Sequence, residues 1–316
     1  MAQHVIVGAG TIGGGVARRL VEDGHTVRMV TRSGSGPDLS GVERVAADAA
    51  DADRLTDLSR GAAVIYNCAN PPYHRWTTDW PPIAAALLAA AESSGAVLVT
   101  MSNLYGYGPV DSPMTENTPL RSAPGTKGAV RNRMWLDALA AHDAGRIRVT
   151  EARASDFYGP GIRGTGHLGD QFVPRLLAGR KPRIAQGDPD APHSWTNVGD
   201  VARTLIRLGG DERAWGRAWH VPTDRALSVR QVATQMAKVA GVRDPGVQVL
   251  PRLAIRLGGL AVPFLRELPE VRYQFAAPFV MDSSAAQTTF DLPFTPFEQG
   301  LTETVGWWRE QERVAA

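Results

Sequence analysis

The first half of the chain alternates short apolar runs with segments in which apolar positions recur every three or four residues. Six apolar runs predict strands that are buried on both faces of a sheet. These runs are residues 4–7, 26–30, 42–46, 63–67, 97–101 and 148–152. The segments with helical spacing, which lie between most of the runs, are residues 13–23, 51–58, 82–93 and 128–142. This alternation predicts an α/β fold with a doubly wound parallel sheet.

The second half of the chain is richer in glycine and proline, and its strands are harder to assign. Helical spacing remains clear at residues 172–178, 201–208 and 229–240. We therefore expect two parts that are interleaved in space. Residues 1–155 form the domain with the parallel sheet, whereas residues 156–316 complete that sheet and add a smaller C-terminal lobe that binds a substrate.

Composition narrows the class of protein. The chain has 316 residues, of which 43% are apolar and 21% charged, as in a soluble globular protein. A net charge of +2 gives no basis for a nucleic-acid partner. The longest apolar run, residues 83–91, falls short of the roughly 20 residues that span a bilayer, so no membrane partner is expected. No signal segment precedes the first strand, which favours a cytoplasmic location.

Cysteine and histidine patterns argue against a metal site. Cys68 is the only cysteine, so the chain forms no intramolecular disulfide and no cysteine-based metal site. The seven histidines have no spacing that is typical of metal ligands. We therefore expect a site without a metal and a small molecule as its substrate.

A glycine-rich turn follows the first predicted strand and opens the first predicted helix. Its sequence, in the pattern Gly-x-Gly-x-x-Gly, is Gly8-Ala9-Gly10-Thr11-Ile12-Gly13. Gly8 permits a tight turn, Gly10 lets the backbone approach a pyrophosphate, and Gly13 lets the helix pack closely on the strand. The amides at the start of the helix then face the anion. The turn therefore predicts a Rossmann sheet that binds a dinucleotide.

The residues that follow the next strands indicate which dinucleotide is bound. Sites for NAD usually hold a carboxylate at the end of the second strand, but Thr31 is neutral and Arg32 is cationic. A cation favours a 2′-phosphate, so NADP(H) is favoured over NAD(H). Asp48, after the third strand, is placed to hydrogen-bond the adenine. Ala69 and Asn70, after the fourth strand, are expected to border the nicotinamide.

Four stretches, in order and spacing, resemble the extended short-chain dehydrogenases/reductases, the NAD-dependent epimerase/dehydratase family. They are the glycine-rich turn, residues 99–108, Arg153-Ala-Ser-Asp-Phe-Tyr-Gly-Pro160 and Asn197-Val-Gly-Asp-Val-Ala202. The resemblance implies a Rossmann domain with a C-terminal substrate domain. It also implies that a homodimer is formed by two helices of each subunit, here residues 82–93 and 128–142.

The resemblance also implies where the catalytic residues lie, and there the chain departs from the family. The family has a serine or threonine at the end of the fifth strand, then a tyrosine about 25 residues later and a lysine four residues further on. In this chain Ser102 is an approximate match for the hydroxyl residue. Lys127 holds the tyrosine position and Arg131 holds the lysine position. The site thus lacks the Tyr-x-x-x-Lys pair.

Three interpretations of this substitution remain open. Lys127 is the acid/base in the first, because burial and the charge of Arg131 lower the pKa of its ammonium. In the second, Lys127 and Arg131 bind only ribose and phosphate, and a tyrosine from elsewhere donates the proton. The candidates are Tyr105, Tyr107, Tyr73 and Tyr158. In the third, the site binds a cofactor but is chemically inactive.

Side chains near the expected substrate end of the site come from several loops. The candidates for substrate contact are Tyr73, Asp156, Tyr158, His193 and Trp195. Together these features predict an NADP(H)-dependent oxidoreductase or epimerase that transfers a hydride on a carbonyl, alcohol or sugar-like substrate. The alternative is a non-catalytic NAD(P)-binding protein that acts as a redox sensor or scaffold.

Overall fold

The computed structural model describes residues 1–164 and 166–315 and contains a central seven-stranded parallel sheet. The strands of the chain are β1 (Gln3–Val7), β2 (Thr26–Thr31), β3 (Val42–Ala46), β4 (Ala62–Asn67), β5 (Val97–Asn103), β6 (Arg148–Ala154), β7 (Asp156–Tyr158), β8 (Arg183–Ile184), β9 (Trp195–Asn197), β10 (Arg217–His220) and β11 (Gln248–Val249). The main sheet has the order β10-β6-β5-β4-β1-β2-β3. The predicted doubly wound sheet is therefore confirmed.

Helices cover both faces of this sheet. They are α1 (Thr11–Glu22), α2 (Ala52–Leu58), α3 (Trp76–Ser94), α4 (Lys127–Asp143), α5 (Val173–Leu177), α6 (Val198–Gly210), α7 (Val229–Ala240), α8 (Arg252–Gly258), α9 (Pro263–Val271), α10 (Tyr273–Ala276), α11 (Ser284–Phe290) and α12 (Phe297–Ala315). Helices α1, α6 and α11 bury apolar side chains on one face, and α2, α3 and α4 do so on the other. No helix of the described residues is long and apolar enough to cross a membrane.

Helix α3 begins earlier than its prolines suggest. The sequence predicts a start at residue 82, since proline is common in the first helical turn. The structure instead places Pro81 and Pro82 inside α3, which starts at Trp76. Trp76 and Trp80 are both buried, so aromatic packing compensates for the backbone hydrogen bonds that the prolines cannot donate.

The second half of the chain contributes both to the sheet and to a separate core. Strand β10 pairs with β6 and forms one edge of the main sheet. A further apolar cluster is built from α5, α7 and α12 and contains Phe172, Trp195 and Met236. The short pairs β7·β9 and β8·β11 lie outside the main sheet. This second core supports the residues that cover the carboxyl edge of the sheet.

The glycine-rich turn brings α1 very close to the loop after β4. A Cβ atom on Gly13 would lie 2.0 Å from the carbonyl oxygen of Gly8, and one on Gly8 would lie 2.6 Å from the carbonyl oxygen of Cys68. Gly8 also has a φ of 103°, which L side chains rarely adopt. A Cβ on Gly10, by contrast, would meet nothing within 4 Å. The turn is thus closed on its sheet side and open where a ligand would approach.

Replacing Gly13 by alanine should destabilise the fold. The added methyl group overlaps backbone atoms that cannot move independently, so Gly13→Ala is expected to lower the free energy of unfolding by about 1–3 kcal/mol. Gly14→Ala is the matched control, because its Cβ meets nothing within 4 Å in the same helix. Urea unfolding measures both variants. Equal stability of the two variants would contradict the packing that we describe.

Candidate active site

A cavity of about 710 Å³ lies at the carboxyl edge of the main sheet. It is bordered by Ile12 at the start of α1, Asn70 after β4, Ser102 at the end of β5, Asp156 in β7 and Phe264 in α9. Ligands of open parallel sheets bind in the crevice outside the carboxyl ends of the strands. We call this space the active-site cavity.

The residues expected around the pyrophosphate and the nicotinamide lie at one side of this cavity. Ile12, Ala69 and Asn70 line it. Gly10 and Thr11 border a second cleft of about 640 Å³ on the other side of the glycine-rich turn. Because Gly10 precedes α1 without a side-chain cap, backbone amides at the start of that helix are left for an anion.

The residues expected at the adenine end lie on the surface, at the ends of β2 and β3. The Thr31 hydroxyl donates a hydrogen bond to the carbonyl of Ser35 at 3.0 Å. Arg32 is exposed and forms no ion pair with any residue that the structure describes. Asp48 is also exposed, and its carboxylate accepts a hydrogen bond from the Ala50 amide at 3.0 Å. Arg32 is therefore the one of these three side chains that offers a positive charge to a ligand.

Two tyrosines share a short hydrogen bond at the wall of the active-site cavity. The hydroxyl oxygens of Tyr73 and Tyr105 lie 2.6 Å apart, and both side chains line the cavity together with Ser102. Burial raises the pKa of both phenols, and the nearby carboxylate of Asp156 adds to this shift. Both tyrosines are therefore neutral at ordinary pH and can donate a proton to a substrate oxygen.

Lys127 is not among the residues that line the active-site cavity, although its ammonium lies 4.7 Å from the ring centroid of Tyr73, which does line it. Its side chain is 4% exposed, and its ammonium forms ion pairs with Glu267 and, at 2.9 Å, with Glu270 of α9. The Lys127 amide also donates to Glu270 at 2.7 Å. Two carboxylates from far along the chain engage the ammonium, and this arrangement argues against the predicted role of Lys127 as an acid/base or ribose ligand. Lys127 instead joins the start of α4 to α9.

Arg131, which the sequence analysis placed in the site, lines the active-site cavity. Its guanidinium stacks against two indole rings. The central carbon of the guanidinium lies 4.3 Å from the ring centroid of Trp80 and 4.7 Å from that of Trp76. Burial lowers the pKa of Arg131 to about 10. Its Nε atom is buried and has no hydrogen-bond partner among the described residues. A buried cation with an unused donor fits a polar ligand in this cavity.

Asp156 and His193 form a buried acid–imidazole pair behind the tyrosines. The Nδ1 atom of His193 lies 3.1 Å from the carbonyl of Gln274, so it carries a hydrogen, since a carbonyl can only accept. The Nε2 atom lies 2.9 Å from Asp156 Oδ2. That contact is a hydrogen bond only if Nε2 or the carboxyl carries a further proton. Although burial opposes ionisation, the hydrogen bond with His193 and the proximity of His167 lower the pKa of Asp156.

Besides Lys127, four of the expected residues lie outside the cavity lining: Tyr107, Tyr158, Trp195 and His193, the last of which contacts the lining residue Asp156. Tyr107 is 1% exposed, and its hydroxyl contacts His220 Nε2 at 2.7 Å and accepts from Arg153 at 2.9 Å. Tyr158 and Trp195 belong to the apolar core of the second half. We therefore remove Tyr107 as a proton donor and Tyr158 and Trp195 as substrate contacts. Residues far away in the sequence contact these aromatic side chains, so the local sequence pattern does not reveal their positions.

Several lining residues were not identified from the sequence. Gln274, Gln186 and Trp76 all line the active-site cavity. The Nε2 atom of Gln274 is buried without a partner among the described residues, so it is available to a ligand. Helix α9 adds Phe264 and Leu268 to the lining. The sequence could not identify these residues. A glutamine in a short helix, or an apolar residue with helical spacing, looks the same whether its side chain lines a cavity or packs in the core.

Solved structures of similar fold come from bacterial sugar-nucleotide enzymes. A dTDP-glucose 4,6-dehydratase from Bacillus anthracis, in complex with NAD, matches 99% of this chain and 98% of its own, with a TM-score of 0.80 and 19% identity. A UDP-glucose 4-epimerase from Thermotoga maritima, with UDP-glucose, matches 98% of this chain and 99% of its own, with a TM-score of 0.80 and 18% identity. At these identities the likeness establishes the fold.

The search of curated proteins found no match for the chain. A family model does match, over residues 4–217 and therefore over more than half of the chain. The matched part includes the glycine-rich turn, the tyrosine pair and the start of α4. The chain thus belongs to the NAD dependent epimerase/dehydratase family, as the resemblance of its motifs implied.

Proposed function

We propose that this protein is an NADP(H)-dependent oxidoreductase in which Tyr105, paired with Tyr73, replaces the family's catalytic tyrosine. The observation that carries this proposal is the 2.6 Å contact between the two hydroxyls beside Ser102 in the active-site cavity. The substrate is a small carbonyl or alcohol compound, including sugar-like ones. Because the phenols of Tyr105 and Tyr73 stay protonated at ordinary pH, they can donate a proton to a substrate oxygen. This favours the reduction of a carbonyl over the oxidation of an alcohol.

The residues of the cofactor side fit a dinucleotide. Gly8 and Gly13 close the turn so tightly that no side chain is tolerated, whereas Gly10 faces open space. Ala69 and Asn70 border the same cavity as the tyrosines, and Arg131 brings a buried cation with an unused Nε donor. When bound there, the nicotinamide supplies or accepts a hydride. Similar structures contain NAD, which supports a nicotinamide cofactor.

The chain's own groups then handle the proton. The Tyr105 hydroxyl donates to the substrate oxygen, and Tyr73, at hydrogen-bond distance, supplies the next proton. Ser102 is placed to hydrogen-bond the same substrate oxygen and to orient it. Asp156, which contacts His193, lines the same cavity, and its carboxylate is near enough to raise the pKa of both phenols. Aromatic and aliphatic lining around these groups excludes water.

The homodimer implied by the resemblance remains part of the proposal. Helices α3 and α4 pack side by side on one face of the sheet. Their outer surface includes Leu136, whose side chain is 51% exposed. A cytoplasmic location stays the expectation drawn from the sequence.

Tyr105→Phe should lower the rate of NADPH oxidation with a panel of aldehydes and ketones by at least about 100-fold, because it removes the proton donor. Tyr73→Phe should lower it less, since the direct donor is kept. Tyr273→Phe is the control, because its hydroxyl lies outside the cavity lining. Stopped-flow absorbance of NADPH gives the rates. Full activity of Tyr105→Phe would refute the role of Tyr105 as the proton donor. If the unaltered protein binds NADPH but shows no turnover, the alternative of a non-catalytic redox sensor is favoured.

Lys127→Met distinguishes a link to α9 from a catalytic role. Removing the ammonium leaves two partly buried carboxylates without a partner, so the free energy of unfolding should fall by about 1–3 kcal/mol. Turnover should persist where the variant is folded, and Glu270→Gln should couple to Lys127→Met in a double-mutant cycle. Lys181→Met, at an exposed lysine, serves as the control. Unchanged stability with complete loss of turnover would restore Lys127 as the acid/base.

Arg32→Ala tests the cofactor preference. Loss of a charged hydrogen bond to the 2′-phosphate should weaken NADPH binding by about tenfold or more and leave NADH binding nearly unchanged. Arg133→Ala, at an exposed arginine of α4, controls for a general loss of positive charge. Isothermal titration of each variant with both nucleotides gives the ratio of dissociation constants. An unaltered ratio would reject the preference for NADP(H).

A further inference from the structure

The outer side of the segment around α8 carries most of the protein's exposed large apolar side chains. Of eight such side chains among the described residues, five lie between residues 249 and 262. They are Val249, Leu253, Leu257, Leu260 and Val262, with exposed fractions of 37%, 65%, 58%, 80% and 46%, and Val262 also borders the active-site cavity. Single exposed apolar side chains are ordinary, but a cluster of this kind marks a contact surface.

The same surface is cationic. Arg252, Arg256 and Arg266 are exposed, and no aspartate or glutamate occurs between Asp244 and Glu267. None of the three arginines forms an ion pair with another residue in the described part of the chain. Arg252 and Arg256 lie one turn apart on α8, as do Leu253 and Leu257 beside them. Cations therefore flank an exposed row of leucines.

The inner side of this segment covers the active-site cavity. Ile255 is buried beneath α8, while Phe264 and Leu268 of α9 line the cavity. Lys127 fixes α9 to the start of α4 through its ion pairs with two glutamates. The segment therefore has two apolar sides, one toward the cavity and one toward the surroundings. Packing within the chain accounts for the inner side only.

We propose that the outer side of residues 249–266, which we call the lid surface, docks on the surface of an anionic lipid bilayer. Leucine and valine side chains enter the region between headgroups and acyl chains, and the arginines bind lipid phosphates. This arrangement satisfies both features of the lid surface at once. It does not depend on the cofactor or on the proposed reaction.

Other occupants fit the lid surface less well. In a twofold contact between two copies the patch would face itself, so its arginines would meet arginines with no carboxylate of the patch to pair with them. Contact surfaces for proteins rely on buried aromatic side chains, whereas the exposed apolar side chains here are all aliphatic. A bilayer surface requires neither pairing nor shape complementarity.

Docking of this kind differs from the sequence-based expectation of no membrane partner. That expectation rested on the length of the apolar runs, which decides only whether a segment can span a bilayer. A surface contact instead needs an apolar face flanked by cations, in a short segment. The periodicity of residues 249–266 does not show which side faces outward, because inner and outer sides are both apolar.

Co-sedimentation with vesicles tests the proposal. The full-length protein is mixed with vesicles of phosphatidylcholine alone and of equimolar phosphatidylcholine and phosphatidylglycerol. The double variant Leu257→Glu, Leu260→Glu is compared with Val314→Glu, which alters an exposed valine near the end of α12. Circular dichroism and thermal unfolding establish that each variant is folded. A second variant, Arg252→Gln with Arg256→Gln, separates the charge from the apolar contact.

The unaltered protein and Val314→Glu should bind the anionic vesicles, with weaker binding to phosphatidylcholine alone. The double leucine variant should bind at least about tenfold less, and the arginine variant should lose the preference for anionic vesicles. No binding of the unaltered protein, or equal binding by the double leucine variant, would overturn the proposal. So would a dimer in sedimentation velocity without lipid that the double leucine variant abolishes, since a second copy would then cover the surface.

Discussion

The carboxyl edge of the sheet depends on the close contact between the glycine-rich turn and the loop after β4. No side chain fits at Gly8 or Gly13, because backbone oxygens already occupy the space. This contact fixes the start of α1, and with it the direction in which the first helical amides point. It also fixes the loop that carries Ala69 and Asn70. The close packing at Gly8 and Gly13 therefore shapes both the space for the cofactor and the part of the cavity wall that Ala69 and Asn70 form.

The two cations at the start of α4 have different roles. Arg131 lines the cavity and stacks against two indole rings, whereas Lys127 forms ion pairs with two glutamates of α9. A residue at the family's catalytic position thus holds the segment that covers the cavity. The proton-donating function that we propose belongs instead to Tyr105 and Tyr73, which lie beside the start of α4, with the Lys127 ammonium 4.7 Å from the centroid of the Tyr73 ring. Retained cofactor binding and altered acid/base chemistry are compatible because we assign them to different residues, the first to the glycine-rich turn with Ala69 and Asn70 and the second to the tyrosine pair.

The sequence allowed much of the fold to be predicted, because apolar runs and the glycine pattern are local. It could not assign the tyrosines. Tyr105 and Tyr107 lie two residues apart in one short turn, yet Tyr107 is held by His220, 113 residues away. The partner of Lys127 at Glu267 is 140 residues away. Roles that depend on such distant contacts leave no mark on spacing or composition.

The central claim is that the dinucleotide site is intact although the catalytic pair is replaced. The most direct measurement is a titration of the purified protein with NADPH and with NADH, followed by tryptophan emission and by energy transfer to the nicotinamide. Trp76 stacks with Tyr105 at the cavity wall, so bound nicotinamide lies within reach of an indole donor. The account predicts saturable quenching with tighter binding of NADPH. Absence of binding by either nucleotide would contradict it.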